Sequence, residues 1–203
     1  MVRRTVVALL VMSSAALAQI PRLAPIGWGL TGGNTEGYTA GLDRQDRFAG
    51  TASAVLASKG QSSPGFGALS QCVRPDAILA KRVRFTAQVK TLGVAEWAGL
   101  WFRVDGSDGQ MLAFDNMQGP DRRIHGDTQW QRYSIVADIA GDAHDICFGA
   151  LLAGGGRIWV DAVALEIVDA GVPLTAKPMA SSNGKTLPSY VLLPKPRNLD
   201  FEE

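Results

Sequence analysis

WAGLWFRVDG, residues 97–106, is the stretch whose reading decides the fold. As a strand it sorts Ala98, Leu100, Phe102 and Val104 onto one face, and Trp97, Gly99, Trp101 and Arg103 onto the other, because side chains alternate. The first is a core face. The second shows two tryptophans and an arginine, and such a face calls for a covering layer or a ligand.

The loop Asp105-Gly106-Ser107-Asp108-Gly109 predicts a hairpin into a second strand over 110–117. With Val104 opposite Gln110, Phe102 faces Leu112, Leu100 faces Phe114, Trp101 faces Ala113 and Gly99 faces Asp115. Paired residues share a face. The outer face then holds Trp97, Trp101, Arg103, Asp115 and Met117. Upstream, residues 82–91 alternate Val83, Phe85, Ala87 and Val89 with Arg84, Thr86, Gln88 and Lys90. As a sheet neighbour this segment would extend the Trp101 face with Gln88 and Lys90.

Further strands are predicted over 38–42, 51–58, 67–73, 130–138, 145–152 and 157–168, with one helical turn over 76–81. Short alternating segments punctuated by Gly, Asp, Asn and Pro are the pattern of an all-β sandwich or barrel. Trp28, Trp130 and Trp159 read as core or sandwich-edge residues. Gly27 to Gly33 reads as an irregular loop, since no strand and helix flank it as a dinucleotide fingerprint requires.

The first eighteen residues have the layout of a secretory signal: Arg3 and Arg4, an apolar run from Val6 to Met12, then Ala16-Leu17-Ala18. The apolar run is far shorter than the roughly 20 residues of a spanning helix, so the expectation is an exported chain, periplasmic or secreted, with no membrane span. The chain beyond this leader is long enough for one domain, 19–168, and a tail, 169–203. The whole chain carries 20 basic and 19 acidic residues. Removing the leader takes two arginines with it, and the near-neutral remainder argues against nucleic acid as a partner.

Two cysteines, Cys72 and Cys147, would meet an oxidising compartment, which favours a disulfide. Their apolar surroundings equally suit buried thiols. His125 and His144 do not share metal-site spacing with them. Asp105, Asp108, Asp115, Asp121 and Asp127 read as turn residues rather than a catalytic pair, and neither histidine has a serine elbow nearby.

WAGLWFRVDG, LAFDNMQ at 112–118, TQWQRYSIVADI at 128–139 and FGALLAGGGRIWVDAVALE at 148–166 resemble a bacterial galactose-binding-like jelly roll. It is the kind found in carbohydrate-binding modules and C-terminal to helix-turn-helix domains of some transcriptional regulators. The resemblance implies an antiparallel jelly-roll β-sandwich of nine or ten strands. Such modules often open with an Asn-x-x-Phe-Glu strand before a Gly-Trp. Here Gly27-Trp28 lacks that opening, and NLDFEE stands instead at 198–203. Residues 198–202 are therefore either a returning strand that completes the sandwich or the remnant of a further module. The resemblance also implies that Asp161 and Glu202 could share a structural calcium.

The functional expectation is an exported, non-catalytic, carbohydrate-binding-like module at the cell envelope. Its ligand residues would be Trp97, Trp101, Arg103, Asp115, Gln88 and Lys90, which combine aromatic planes with hydrogen-bonding groups. The alternatives are a protein-contact or self-association module using the same aromatic face, which the proline-rich tail could also roof, and a glycan-active enzyme.

Overall fold

The computed structural model describes residues 23–60, 63–179 and 190–203. The secretory-signal reading lies outside them, as does part of the tail. Among the described residues eleven strands, antiparallel save for one parallel pairing, make up the fold: β1 (Gly29–Gly32), β2 (Tyr38–Asp43), β3 (Ser53–Ser58), β4 (Phe66–Val73), β5 (Arg82–Gly106), β6 (Met111–Asp115), β7 (Ile124–Asp138), β8 (Ala143–Ala153), β9 (Arg157–Val168), β10 (Lys177–Pro178) and β11 (Leu192–Leu193). The only helical elements among the described residues are 3-10 turns at Thr35–Gly37 and Asp76–Ile78.

The predicted strands over 82–91 and 97–104 are one element. β5 runs for 25 residues through both layers of the sandwich. Its first half pairs with β7 and β9, and the layer continues through β3 to β2. Its second half pairs with β6 and β8, and that layer continues through β4 to β1, with β10 beyond β6 and β11 beside β4. The strand changes layer around Gly93, whose φ of +62° is left-handed and whose amide donates to the Asp127 carboxylate (2.6 Å). No β-branched or bulky residue adopts that conformation without strain, which is why a glycine interrupts the alternation.

Between the layers lies one core. Val83, Phe85, Ala87 and Val89 from the first half of β5 meet Leu100, Phe102 and Val104 from the second. The rings of Phe85, Phe102 and Phe148 converge with centroids 5.3 to 6.4 Å apart. All three are fully buried, and such burial stabilises by roughly 1.5–3 kcal/mol per side chain.

The C-terminal residues return to this core, though not as a strand. Asn198 and Phe201 both have positive φ, so 198–202 form an irregular turn. Phe201 is fully buried against Trp28, with ring centroids 5.1 Å apart. The Trp28 indole donates to the Asn198 carbonyl (2.9 Å), and the Val163 amide donates to that of Leu199 (2.9 Å). Buried Gln71 bonds both the amide and the carbonyl of Arg197.

Candidate functional site

The outer face of the β6-β5-β8-β4-β1 layer carries a cleft of about 640 Å³. Its form follows from the register. Successive rows across the strands read Phe66, Ala153, Trp97; then Ala68, Leu151, Gly99; then Ser70, Gly149, Trp101; then Cys72, Cys147, Arg103 and Phe114. Apart from Leu151, the β4 and β8 residues of the trough are small (Ala68, Ser70, Cys72, Cys147, Gly149 and Ala153), and the large side chains of β5, Phe66 and Phe114 rise around them. At the third row the approach is so close that a Cβ on Gly149 would collide with the carbonyl oxygen of Leu69. At 3.3 Å per residue the rows from Trp97 to Arg103 span roughly 20 Å, so the trough runs along the strands.

Cys72 and Cys147 face each other across β4 and β8 and form a disulfide in the floor, with Cα atoms 4.1 Å apart. Trp97 and Trp101 pack against Ala68, Leu151 and Ala153. The Trp101 indole nitrogen is buried without a hydrogen-bond partner among the described residues. On the facing wall the hydroxyls of Thr31 and Ser70 bond each other (2.5 Å).

One end of the cleft is a charged network. The Arg103 Nε donates to both oxygens of Asp105 (2.9 and 2.7 Å), a carboxylate with no exposed surface. Burial holds the Asp105 carboxyl above its ordinary range, against the pull of Arg103 and with Asp145 adding to the rise. Asp145, opposite Asp105 in the β5-β8 pairing, accepts from the Tyr190 hydroxyl (3.0 Å) and bonds His144 Nδ1 (3.0 Å). Burial, followed by the Asp145 charge, pushes the Tyr190 phenol above its usual range. Arg74 Nη1 lies 3.1 Å from His144 Nε2. A guanidinium can only donate, so His144 holds its proton on Nδ1 and gives it to Asp145.

Trp97, Trp101 and Arg103 thus line one cleft, and the other three predicted ligand residues do not. Asp115 is buried on the core side, where it accepts from the Met117 amide (2.9 Å) and pairs with Arg122 (2.5 Å). The expected hairpin register is wrong by an odd number: Val104 faces Ala113 and Phe102 faces Asp115, with a bulge between Val104 and Asp105. An odd slip exchanges the two faces, which sends Asp115 inward and Phe114 into the cleft. Met117 is buried too, its sulfur 3.3 Å from the Leu100 amide. Gln88 and Lys90 lie on the outer face of the opposite layer, because β5 changes layer between them and Trp97. There Lys90 pairs with the Asp46 carboxylate and sits 5.3 Å from the Trp159 ring.

Phe66, Phe114 and Tyr190 are cleft residues that the sequence reading missed. Only a correct register would have exposed Phe114, and nothing local marks Tyr190. Of the expected tail cover over Trp97 and Trp101, residues 180–189 lie outside those described; in the described tail Lys177–Pro178 pair with β6, Leu192–Leu193 pair with β4, and Tyr190 lines the cleft. The turn carboxylates serve as structure: Asp108 accepts the Gln110 amide (2.9 Å), and Asp127 that of Gly93.

Asp161 and Glu202 do not fit a calcium ion. Asp161 accepts the amides of Phe48 (2.9 Å), Ala49 (3.0 Å) and Ala162 (2.7 Å). Glu202 accepts the Thr51 amide (2.7 Å) and hydroxyl (2.5 Å). Nearby, Arg47 donates to the carbonyls of Arg44 (2.7 Å) and Gly50 (3.0 Å). N–H and O–H groups fill the positions from which oxygen ligands would have to face a cation. Among the described residues no group of three or more His, Cys, Asp or Glu is placed to hold a metal ion.

No protein-family model matches the chain. It is 38% identical over 178 residues to the uncharacterized HTH-type transcriptional regulator YbfP of Bacillus subtilis (strain 168), a match covering 87% of this chain. The chain spans 57% of that relative's length. Among solved structures it is similar to the CBM22-1 xylan-binding domain of Paenibacillus barcinonensis Xyn10C, at a TM-score of 0.52 and 14% identity, covering 74% of this chain and 92% of that one. The C-terminal family 22 carbohydrate-binding module of Clostridium thermocellum Xyn10B gives 0.50 and 13% identity, covering 73% and 88%. The fold is therefore the galactose-binding-like β-sandwich of carbohydrate-binding modules, as the sequence resemblance implied.

Proposed function

We propose that this chain is a non-catalytic glycan-binding module whose ligand lies along the cleft against Trp97 and Trp101. The observation that carries the reading is the trough of small residues walled by aromatic side chains. Sugar rings present apolar C–H faces that suit indole planes, with hydroxyls for the groups at the rim. The structural neighbours are carbohydrate-binding modules, one of them described as xylan-binding, which supports the same class of ligand. The two carboxylates at the Arg103 end of the cleft, Asp105 and Asp145, are held by arginine, tyrosine and histidine side chains, an arrangement that suits binding better than acid–base chemistry. The N-terminal stretch and the Cys72–Cys147 disulfide support export to an oxidising compartment at the cell envelope. The near-neutral charge supports a partner other than nucleic acid.

Retention on a polysaccharide panel tests the reading. Native protein retained by at least one glycan, with retention abolished by Trp101→Ala at unchanged melting temperature, supports it. Absence of retention on every glycan overturns it. A dimer that the same substitution dissociates, without any glycan retention, would instead make the aromatic face a protein contact.

A further inference from the structure

The glycan-binding reading leaves the chemistry of the sugar open, and the Arg103 end of the cleft narrows it. Arg103 has five N–H donors, and only the one on Nε is engaged, by the two oxygens of Asp105. Both Nη groups are without a partner among the described residues, while the side chain lines the cleft at 24% exposure. The carboxylates beside it do not compete for them. Asp105 is held on the Nε edge, and the oxygens of Asp145 accept from Tyr190 and His144. At this end the unpartnered groups among the described residues are thus the Nη donors of Arg103, while the Tyr190 hydroxyl already gives its proton to Asp145. A carboxylate brings acceptors alone and a negative charge, which answers two free N–H groups on a cation more fully than a neutral hydroxyl does. The planar guanidinium fork matches a carboxylate with two parallel N–H groups. Glu96, the acidic group of the cleft, stands beyond Trp97 at the opposite end, roughly 20 Å away along β5.

Resting on the glycan-binding reading, we infer that the ligand is an acidic glycan, a uronic-acid-bearing chain that seats a carboxylate on the Nη groups of Arg103. Asp105 acts as the positioning residue that turns the fork towards the cleft.

The test uses the full chain and matched probes: polygalacturonate, alginate and glucuronoxylan, each alongside its carboxyl-reduced counterpart, titrated by calorimetry. The expected result is at least a tenfold preference for one acidic form over its reduced partner. Arg103→Gln should erase that preference, and Arg103→Lys, which keeps the charge without the fork, should retain only part of it. Circular dichroism melts confirm that both variants fold. Equal or tighter binding of the reduced forms overturns the acidic-ligand inference and leaves the glycan-binding reading standing. An acid preference that survives in both variants also overturns it. Failure of native protein to bind either form of any probe, or any neutral polysaccharide beside them, overturns both readings.

Discussion

Trp101 is largely covered by its neighbours, yet its ring borders open cleft, so its removal should cost more in binding than in folding. We expect Trp101→Ala to lose glycan retention while shifting the melting temperature little, read by affinity electrophoresis and thermal melts in parallel. Asp105 makes a second residue-scale prediction, through proton linkage. Because burial raises its pKa above the ordinary 3.8, the folded state holds this proton more tightly than the unfolded chain. Its contribution to stability therefore grows as pH falls from the folded pKa towards the unfolded one. The stability of wild type relative to Asp105→Asn should rise over that window, as measured by urea unfolding at a series of pH values. Glu202 has the opposite sign. Its bonds to Thr51 hold its pKa below the ordinary 4.5, so the stability it confers is present above that value and is lost as pH falls through the folded pKa. The advantage of wild type over Glu202→Gln should accordingly shrink in acid.

Three elements owe their placement to contacts distant in sequence. The disulfide joins strands 75 residues apart in the chain. On loop-entropy grounds the double Cys72→Ser, Cys147→Ser variant should lose about 4 kcal/mol, measured by denaturant unfolding. The terminal turn places Phe201 in the core beside Trp28, and Phe201→Ala should cost about 3–5 kcal/mol as a cavity forms. The loop from Phe48 to Thr51 is gripped by Asp161 and Glu202 through amide and hydroxyl protons. Chelators and added calcium should therefore leave the melting temperature unchanged, while Asp161→Asn lowers it. Strand identity was legible from alternation, because a period of two is local: Val83 to Val89 and Ala98 to Val104 could be assigned to core faces by inspection. The bulge after Val104 was not legible. It depends on how the turn closes, with the Gly106 amide on the Gln110 carbonyl, and it reversed the faces of Asp115 and Phe114. NLDFEE signalled its return only through family likeness, and its left-handed residues at Asn198 and Phe201 had no sequence signature beyond that.

At the scale of the molecule, the organising feature is a strand that serves both layers. The change of layer at Gly93 explains why half the cleft was legible: Trp97, Trp101 and Arg103 share one half of β5, whereas Gln88 and Lys90 sit on the other half and face the opposite way. Nothing in an alternating pattern marks where a strand leaves one sheet for another, except a glycine that has several other uses. Since neither layer can separate without disrupting β5, we expect a single cooperative transition, with tryptophan fluorescence and far-ultraviolet circular dichroism coincident in urea. The same strand has a mechanical consequence. The cleft runs parallel to β5 and β8, so tension on a polymer lying in it would load the hydrogen bonds between those strands in shear, many at once. Strands pulled at right angles unzip one bond at a time and yield at far lower force. On the glycan-binding reading, such a module would act as a lap joint, suited to holding a taut chain.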